Sequence, residues 1–392
     1  MQDEKLRAFW SFKQGLDGSL RGKSAVEILG RAGWARSVAG AGPYLTFFSR
    51  GGLGRAKIDG AVAKAEIHEL PTARGCTYVL PASDYAVGLK LGQPFTDVET
   101  KTALKLGVTA KELEKLQKAI VDALGAGPLD TDGLRTAVGS AARSLGPEGV
   151  KKGITTTLPV ALGILQSDGE IRRIPINGRL DQQRYRYALW RPNPLTKSKM
   201  TGDEALTEVG RKYFSWIGSA SMAEFQWFSG VSGKVAKAVL EPLNLQAVET
   251  SGGPRLMLPA DRDAFENFRI PGNPEYSLVS SLDSINALRR NLPSLVAPED
   301  AGHVTAKKGQ VDDLPDHAIF DRGRLVGLWE FDTATNSIAW MSFRKADAAL
   351  REAVKVTETW VRDELGDARR ASLDSPQSRV PRVEALRKAA VS

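Results

Sequence analysis

Two stretches of this chain repeat one order of elements, short helical patterns followed by a pair of strands closed by a turn. The clearer one begins at "GVTAKELEKLQKAIVDALG". Thr109 and Glu112 form a capping-box pattern, and Leu113, Leu116, Ile120 and Leu124 recur at helical spacing. Two further helical patterns occupy "DTDGLRTAVGSAARSLG" and "ITTTLPVALGILQSDG". Then comes "EIRRIPINGRLDQQRYRYALW", where Asn177-Gly178 between strand-like flanks predicts a type I′ hairpin turn. Three helices and a two-stranded wing predict a winged helix.

The second stretch starts with the helical pattern "TGDEALTEVGRKYFSWIG". Ser221 and Glu224 make another capping box, and Met222, Phe225 and Phe228 can share one buried face. Gly230 suits a helix C-terminus, where positive φ is needed. Ser232 can cap "GKVAKAVLEPL", which Pro242 discourages from continuing. "NLQAVETSGGPRLMLP" reads as strand, glycine turn, strand.

The flanks are less regular. "SAVEILGRAGWA" and "AKIDGAVAKAEIHEL" read as helical, and "CTYVLPASDYAVGL" starts as a strand, so a diverged third unit is expected. "HAIFDRGRLVGLWEFDTATNSIAWMSF" predicts two or three strands with turns at Arg322-Gly323 and Thr335-Asn336. A long helix over about 344–371 and a polar, basic, partly ordered tail complete the chain. The expected fold class is α+β, with tandem winged-helix (helix-turn-helix plus β-wing) units, a small antiparallel β-domain and a C-terminal helix. The expected divisions are 1–105, 106–198 and 199–270 for three winged helices, 271–343 for the β-domain, and 344–392 for the helix and tail.

At 392 residues the chain exceeds one typical domain. Its 54 Lys and Arg against 46 Asp and Glu give a net charge of +8, which favours polyanionic partners. A single cysteine, Cys76, excludes an internal disulfide and a thiolate zinc site, and three histidines supply a metal site poorly. No metal and no cofactor are expected. The N-terminus lacks a signal-peptide core, and no apolar run approaches the ~18 residues of a membrane span. The expected location is the cytoplasm, with no membrane partner.

Motifs for small ligands fail on inspection. "DGSLRGKS" (17–24) lacks the first glycine of a P-loop, and "GGLGR" (51–55) lacks the spacing of a dinucleotide fingerprint. Ser24 is expected instead to cap the next helix. His68-Glu69 has no second histidine, and Cys76 is read as a small strand residue. The basic segments carry more. In "RLDQQRYRYALWRPNPLTKSK", Arg184 and Arg186 alternate with Tyr185 and Tyr187, so on a strand the arginines share one face and the tyrosines the other. Lys234 and Lys237 lie three apart on the presumed recognition helix. The candidate DNA-binding residues are Lys234, Lys237, Arg184, Arg186, Arg172, Arg173 and Arg74.

"KYFSWIGSASMAEFQWFSGVSGKVAKAV" resembles the signature of the winged-helix DNA glycosylase family typified by AlkZ and YcaQ, which unhooks interstrand crosslinks and excises alkylated purines. "PYLTFFSR" with "ARGCTYVLPASDY", and "AIFDRGRLVGLWEF", resemble its N-terminal run and its C-terminal β-domain. The resemblance implies three winged helices and a β-domain curved into a basic channel for double-stranded DNA. It also implies catalysis by a Gln-x-Gln or Gln-x-Asp pair just before Pro43-Tyr44, which positions a water at the sugar of the damaged nucleotide. Here that region reads "RAGWARSVAGAG", with no glutamine and no acid. Arg74-Gly75 is kept, Tyr78 stands in place of a family histidine, and Arg36 and Ser37 are the polar residues nearby.

The leading expectation is a monomeric, duplex-DNA-binding protein of DNA repair on this glycosylase scaffold, without family-type base excision. One alternative is an active glycosylase for alkylated purines that positions water with substitute residues, Ser37 among them. The other is a winged-helix transcriptional regulator, although such regulators usually work as dimers and this chain holds several units.

Overall fold

The computed structural model describes residues 2–182, 184–289, 291–304, 314 and 316–390. Helix starts follow local sequence closely. Ser24/Glu27, Thr109/Glu112, Thr201/Glu204 and Ser221/Glu224 each form a reciprocal capping box, at the heads of Ala25–Ala32, Ala110–Leu124, Gly202–Ile217 and Met222–Ser229. In each, the hydroxyl accepts an orphan backbone N–H and the glutamate returns the favour at the cap, which stabilises the helix by about 1 kcal/mol. The P-loop-like stretch is thus a loop ending in the Ser24 cap.

The N-terminal third holds helices Gln2–Lys13, Ala25–Ala32, Gly42–Gly51 and Arg55–Ala63 around a three-stranded antiparallel sheet. In that sheet Thr77–Pro81 lies between Ala35–Arg36 and Ile67–Pro71. The last strand corrects the sequence reading. "AKIDGAVAKAEIHEL" is helical only to Ala63; Ala65 turns left-handed at φ 53°, and Ile67 to Leu70 are buried on both sheet faces. A long helix, Tyr85–Lys105, then leads to Ala110–Leu124, Thr131–Val138, Gly146–Lys151 and Thr157–Ser167. The hairpin Ile171–Pro175 with Tyr185–Leu189 follows, Arg173 opposite Tyr187.

The hairpin turn also differs from expectation. Only Gly178 takes positive φ, at 74°, and the last backbone bond across the pair joins Ile176 to Arg184. A type I′ turn needs positive φ at both central residues. The Asn177 side chain instead accepts from the Arg179 backbone, which starts a longer loop.

Helices Gly202–Ile217, Met222–Ser229 and Gly233–Leu240 precede the short strands Gln246–Val248 and Arg255–Met257. Gly230 ends the middle helix in the left-handed region at φ 78°, and a Cβ there would come within 3.0 Å of Arg74. Phe225 and Phe228 are buried against Tyr213 and Trp34, with the rings of Tyr213 and Phe228 stacked at 4.9 Å.

The C-terminal sheet orders its strands Ser337–Ser342, Arg324–Asp332, His317–Asp321 and Tyr276–Val279. Alternation sends Leu278, Ile319, Trp329, Phe331 and Ile338 into one core with the N-terminal helices and Ala348–Trp360. It sends Val279, Ala318, Phe320, Leu328 and Ala339 into a second core with Phe9, Trp10, Val383 and Leu386. The helix expected over 344–371 is shorter. It starts at the Asp347 cap, loosens into one π turn at Val361–Leu365 and stops at Gly366. The tail expected to be partly ordered is a helix, Pro376–Ala390, laid across the sheet. Val383 and Leu386 cover apolar surface there, and Arg379 and Arg382 reach Asp367, Glu330 and Asp374.

His317 locks this sheet to the rest. Its Nδ1 accepts from the Ser281 backbone at 3.0 Å, and its Nε2 donates to the Ala368 carbonyl at 2.6 Å. Burial pushes the ring's pKa down to about 4. The unfolded chain therefore takes up this proton first, so stability present above pH 6.5 is lost as pH falls towards 4. Between pH 6.5 and 5 the histidine accounts for a loss of about 2 kcal/mol. Urea unfolding at pH 7 and 5 checks this. The pH-dependent loss should shrink by about that amount in His317→Gln, and an unchanged loss would contradict it.

Candidate nucleic-acid interface

Residues 35–41 form a short strand and then an irregular crossing. Ser37 N–H donates to the Thr77 carbonyl at 3.0 Å, Ala41 N–H to Arg369 at 2.8 Å, and Ser372 N–H to Val38 at 3.1 Å. Ala39 is left-handed at φ 58°. Gly40 has no room for a side chain, since a Cβ would stand 2.2 Å from the Arg370 carbonyl oxygen. The crossing is therefore held between the N-terminal sheet and the segment before the last helix. Two cavities meet at Val38, one of about 740 Å³ and one of about 330 Å³.

Strand alternation decides which side chain enters which cavity. Arg36 pairs with Tyr78 in register, and both line the larger cavity with Arg74, Trp227, Arg370 and Arg382. The Arg36 guanidinium lies 5.3 Å from the Tyr78 ring centre and donates to the Thr77 carbonyl at 3.0 Å. The Arg74 guanidinium lies 4.0 Å over the Trp227 ring and donates to that residue's carbonyl at 3.3 Å. Aromatic faces thus fix two cations without neutralising them.

The smaller cavity lies on the opposite sheet face, lined by Ser37, Thr77, Thr131, Arg173, Tyr185 and Tyr187. Ala35 and Glu69 both oppose Val79, so Glu69 shares the face of Ser37 and Thr77. The Ser37 hydroxyl donates to Glu69 Oε1 in a short contact, and the Tyr185 hydroxyl also acts on this carboxylate. Burial raises the Glu69 pKa, while Ser37, Arg173 and the Tyr185 hydroxyl favour its charged form. The Arg173 guanidinium stands 4.8 Å over the Tyr185 ring. His68, one residue back and facing the other way, packs edge-on to Trp190. Burial and the nearby Arg172 and Arg173 push its pKa down to about 3.

The candidate residues read from sequence divide accordingly. Arg74 and Arg173 border the two cavities. Arg172, next to Arg173 on the strand, faces the other way, into a space of about 660 Å³ beside Tyr85 and Trp190. Arg184 and Arg186 are exposed while Tyr185 and Tyr187 are half-buried, the alternation the sequence implies. Lys234 and Lys237 are exposed on helix Gly233–Leu240, outside both cavities. Glu69, Arg370 and Arg382 went unrecognised in the sequence. Glu69 lay in a stretch read as helical, where alternation gives no signal. Among the described residues, no group of three or more His, Cys, Asp and Glu is placed to hold a metal ion, and no helix is long and apolar enough to cross a membrane.

The family described as AlkZ-like, DNA glycosylase AlkZ-like, matches residues 37–355. The solved structure of Streptomyces sahachiroi DNA glycosylase AlkZ is similar with a TM-score of 0.69, over 94% of this chain and 98% of that chain, at 18% sequence identity. Comparison with curated proteins finds no match.

Proposed function

This chain belongs to the AlkZ-like DNA glycosylase family, and on that footing we propose that it binds duplex DNA at damaged nucleotides in DNA repair. The observation that carries the reading is the set of arginines held over aromatic rings around Val38, with Arg36 and Arg74 on one side and Arg173 on the other. Guanidinium groups held over aromatic rings suit phosphates, since they are positioned before the ligand arrives. In this reading, helices 110–167 with hairpin 171–189, and helices 202–240 with hairpin 246–257, are winged helices set in tandem. Lys234 and Lys237 belong to a recognition helix, and Arg184 and Arg186 to a wing that follows the backbone. One chain carries both units, so a monomer suffices to track the duplex. The glutamine pair of family-type excision is absent from 31–42, so any base release has to run on other groups.

Paired charge reversals test the surface. Lys234→Glu with Lys237→Glu, and separately Arg184→Glu with Arg186→Glu, are expected to weaken duplex binding at least tenfold. Each lost phosphate contact should also make the salt slope about one unit shallower. All four side chains are exposed, so folding should change by less than about 0.5 kcal/mol per site. Fluorescence anisotropy on a labelled duplex reads the first effect and urea unfolding the second. Wild-type affinity in both double variants would place the DNA on a different face.

A further inference from the structure

The crossing that lacks the glutamine pair runs over a buried carboxylate. Glu69 is 4% exposed and Ser37 3%, yet Ser37 forms part of the wall of the 330 Å³ cavity. A carboxylate in this place is poor sheet chemistry. An apolar side chain would fill the same position without desolvating a charge. Ser37 is equally specific. Its hydroxyl hydrogen is committed to Glu69, which leaves its lone pairs as acceptors towards the cavity. Arg173 and Tyr185 close over the pair from the two hairpin strands and exclude bulk solvent.

We propose that Ser37 and Glu69 form a water-activating relay that hydrolyses the glycosidic bond of a cationic, N7-alkylated purine nucleotide. This rests on the DNA-binding reading above and names the chemistry of the site. A water in the cavity donates to Ser37 Oγ. As its oxygen bonds to C1′ of the sugar, its proton passes to Ser37 and the Ser37 proton passes to Glu69 Oε1. The bond between C1′ and the purine nitrogen breaks, and its electron pair cancels the positive charge on the base, which leaves neutral. No oxidant, metal or second substrate is needed. The alkylated base is already an activated leaving group, so one oriented water with a proton acceptor is sufficient chemistry. Burial keeps Glu69 basic enough to accept the proton, and Arg173 keeps it ionisable.

The test is single-turnover release of N7-methylguanine from a defined duplex between pH 5 and 8.5, with duplex affinity measured in parallel. Glu69→Gln and Ser37→Ala are each expected to slow release by about 10²–10⁴-fold while binding the duplex within twofold of wild type. The wild-type rate should rise with pH along a limb above the ordinary carboxylate range, and that limb should vanish in Glu69→Gln. A purely structural role would leave the limb in place. Glu69→Asp should recover part of the rate. Wild-type protein that binds the duplex but releases no base overturns the relay and leaves the DNA-binding reading standing. So does unchanged release in Ser37→Ala, a variant that removes only one buried hydroxyl. Failure of wild type to bind the duplex overturns the underlying reading instead.

Discussion

Asp283→Ala is expected to lower folding stability by about 3–5 kcal/mol, because it strands a buried guanidinium. Arg50 and Asp283 both have fully buried side chains and meet in a two-pronged pair, each guanidinium nitrogen 2.8 Å from its own carboxylate oxygen. Arg50 Nε also donates to the Gln14 carbonyl at 2.8 Å, and the Gln14 side chain donates onward to Ala32 and Trp216. This hub ties helix Gly42–Gly51, which continues from the crossing at Val38, to the segment 281–287 that lines the larger cavity. Alanine at 283 leaves the Arg50 charge without its counterion in a site water does not reach. Arg50→Met combined with Asp283→Asn removes both charges and keeps an acceptor at the head of helix Ser284–Ala287. The double variant should therefore be more stable than Asp283→Ala alone, since it leaves no buried charge unpaired. Urea midpoints with unchanged slopes measure both. A loss under about 1 kcal/mol in Asp283→Ala would show that water reaches Arg50 after all.

Local features of this fold were legible in the sequence because their chemistry is local. A Ser or Thr three residues before a Glu marks a helix start wherever it stands, and the boxes at Thr109 and Ser221 appear where expected. Gly230 and Ser232 likewise end one helix and cap the next. Strand Ile67–Pro71 was not legible because burial on both faces erases the polar–apolar alternation that marks a half-exposed strand. The ordered tail was hidden for a different reason. Its arginines look solvated in sequence, and their carboxylate partners Glu330 and Asp367 are supplied by other elements.

The site itself was legible in fragments. The absence of glutamine around Ser37 could be read directly, and Ser37 stood out as one of two polar residues there. Its partner could not be found the same way. Ser37 and Glu69 are 32 positions apart and meet only because Thr77–Pro81 lies between their strands. That register follows from the strand order, which no local pattern encodes. The separation of Arg172 from Arg173 onto opposite faces, by contrast, follows from period-2 alternation once the strand is recognised.

A chain that grips duplex DNA by its phosphates binds an undamaged duplex with a steep salt dependence. Lys and Arg side chains that neutralise phosphates release condensed counterions, so log affinity falls linearly with log salt by about 0.9 per contact. The four exposed residues Lys234, Lys237, Arg184 and Arg186, together with Arg74 and Arg173, give an expected slope of about −5. Affinity should then drop by about a thousandfold between roughly 50 and 200 mM salt. A slope flatter than about −2, or no binding at the lowest salt, would show that these side chains do not hold the DNA phosphates.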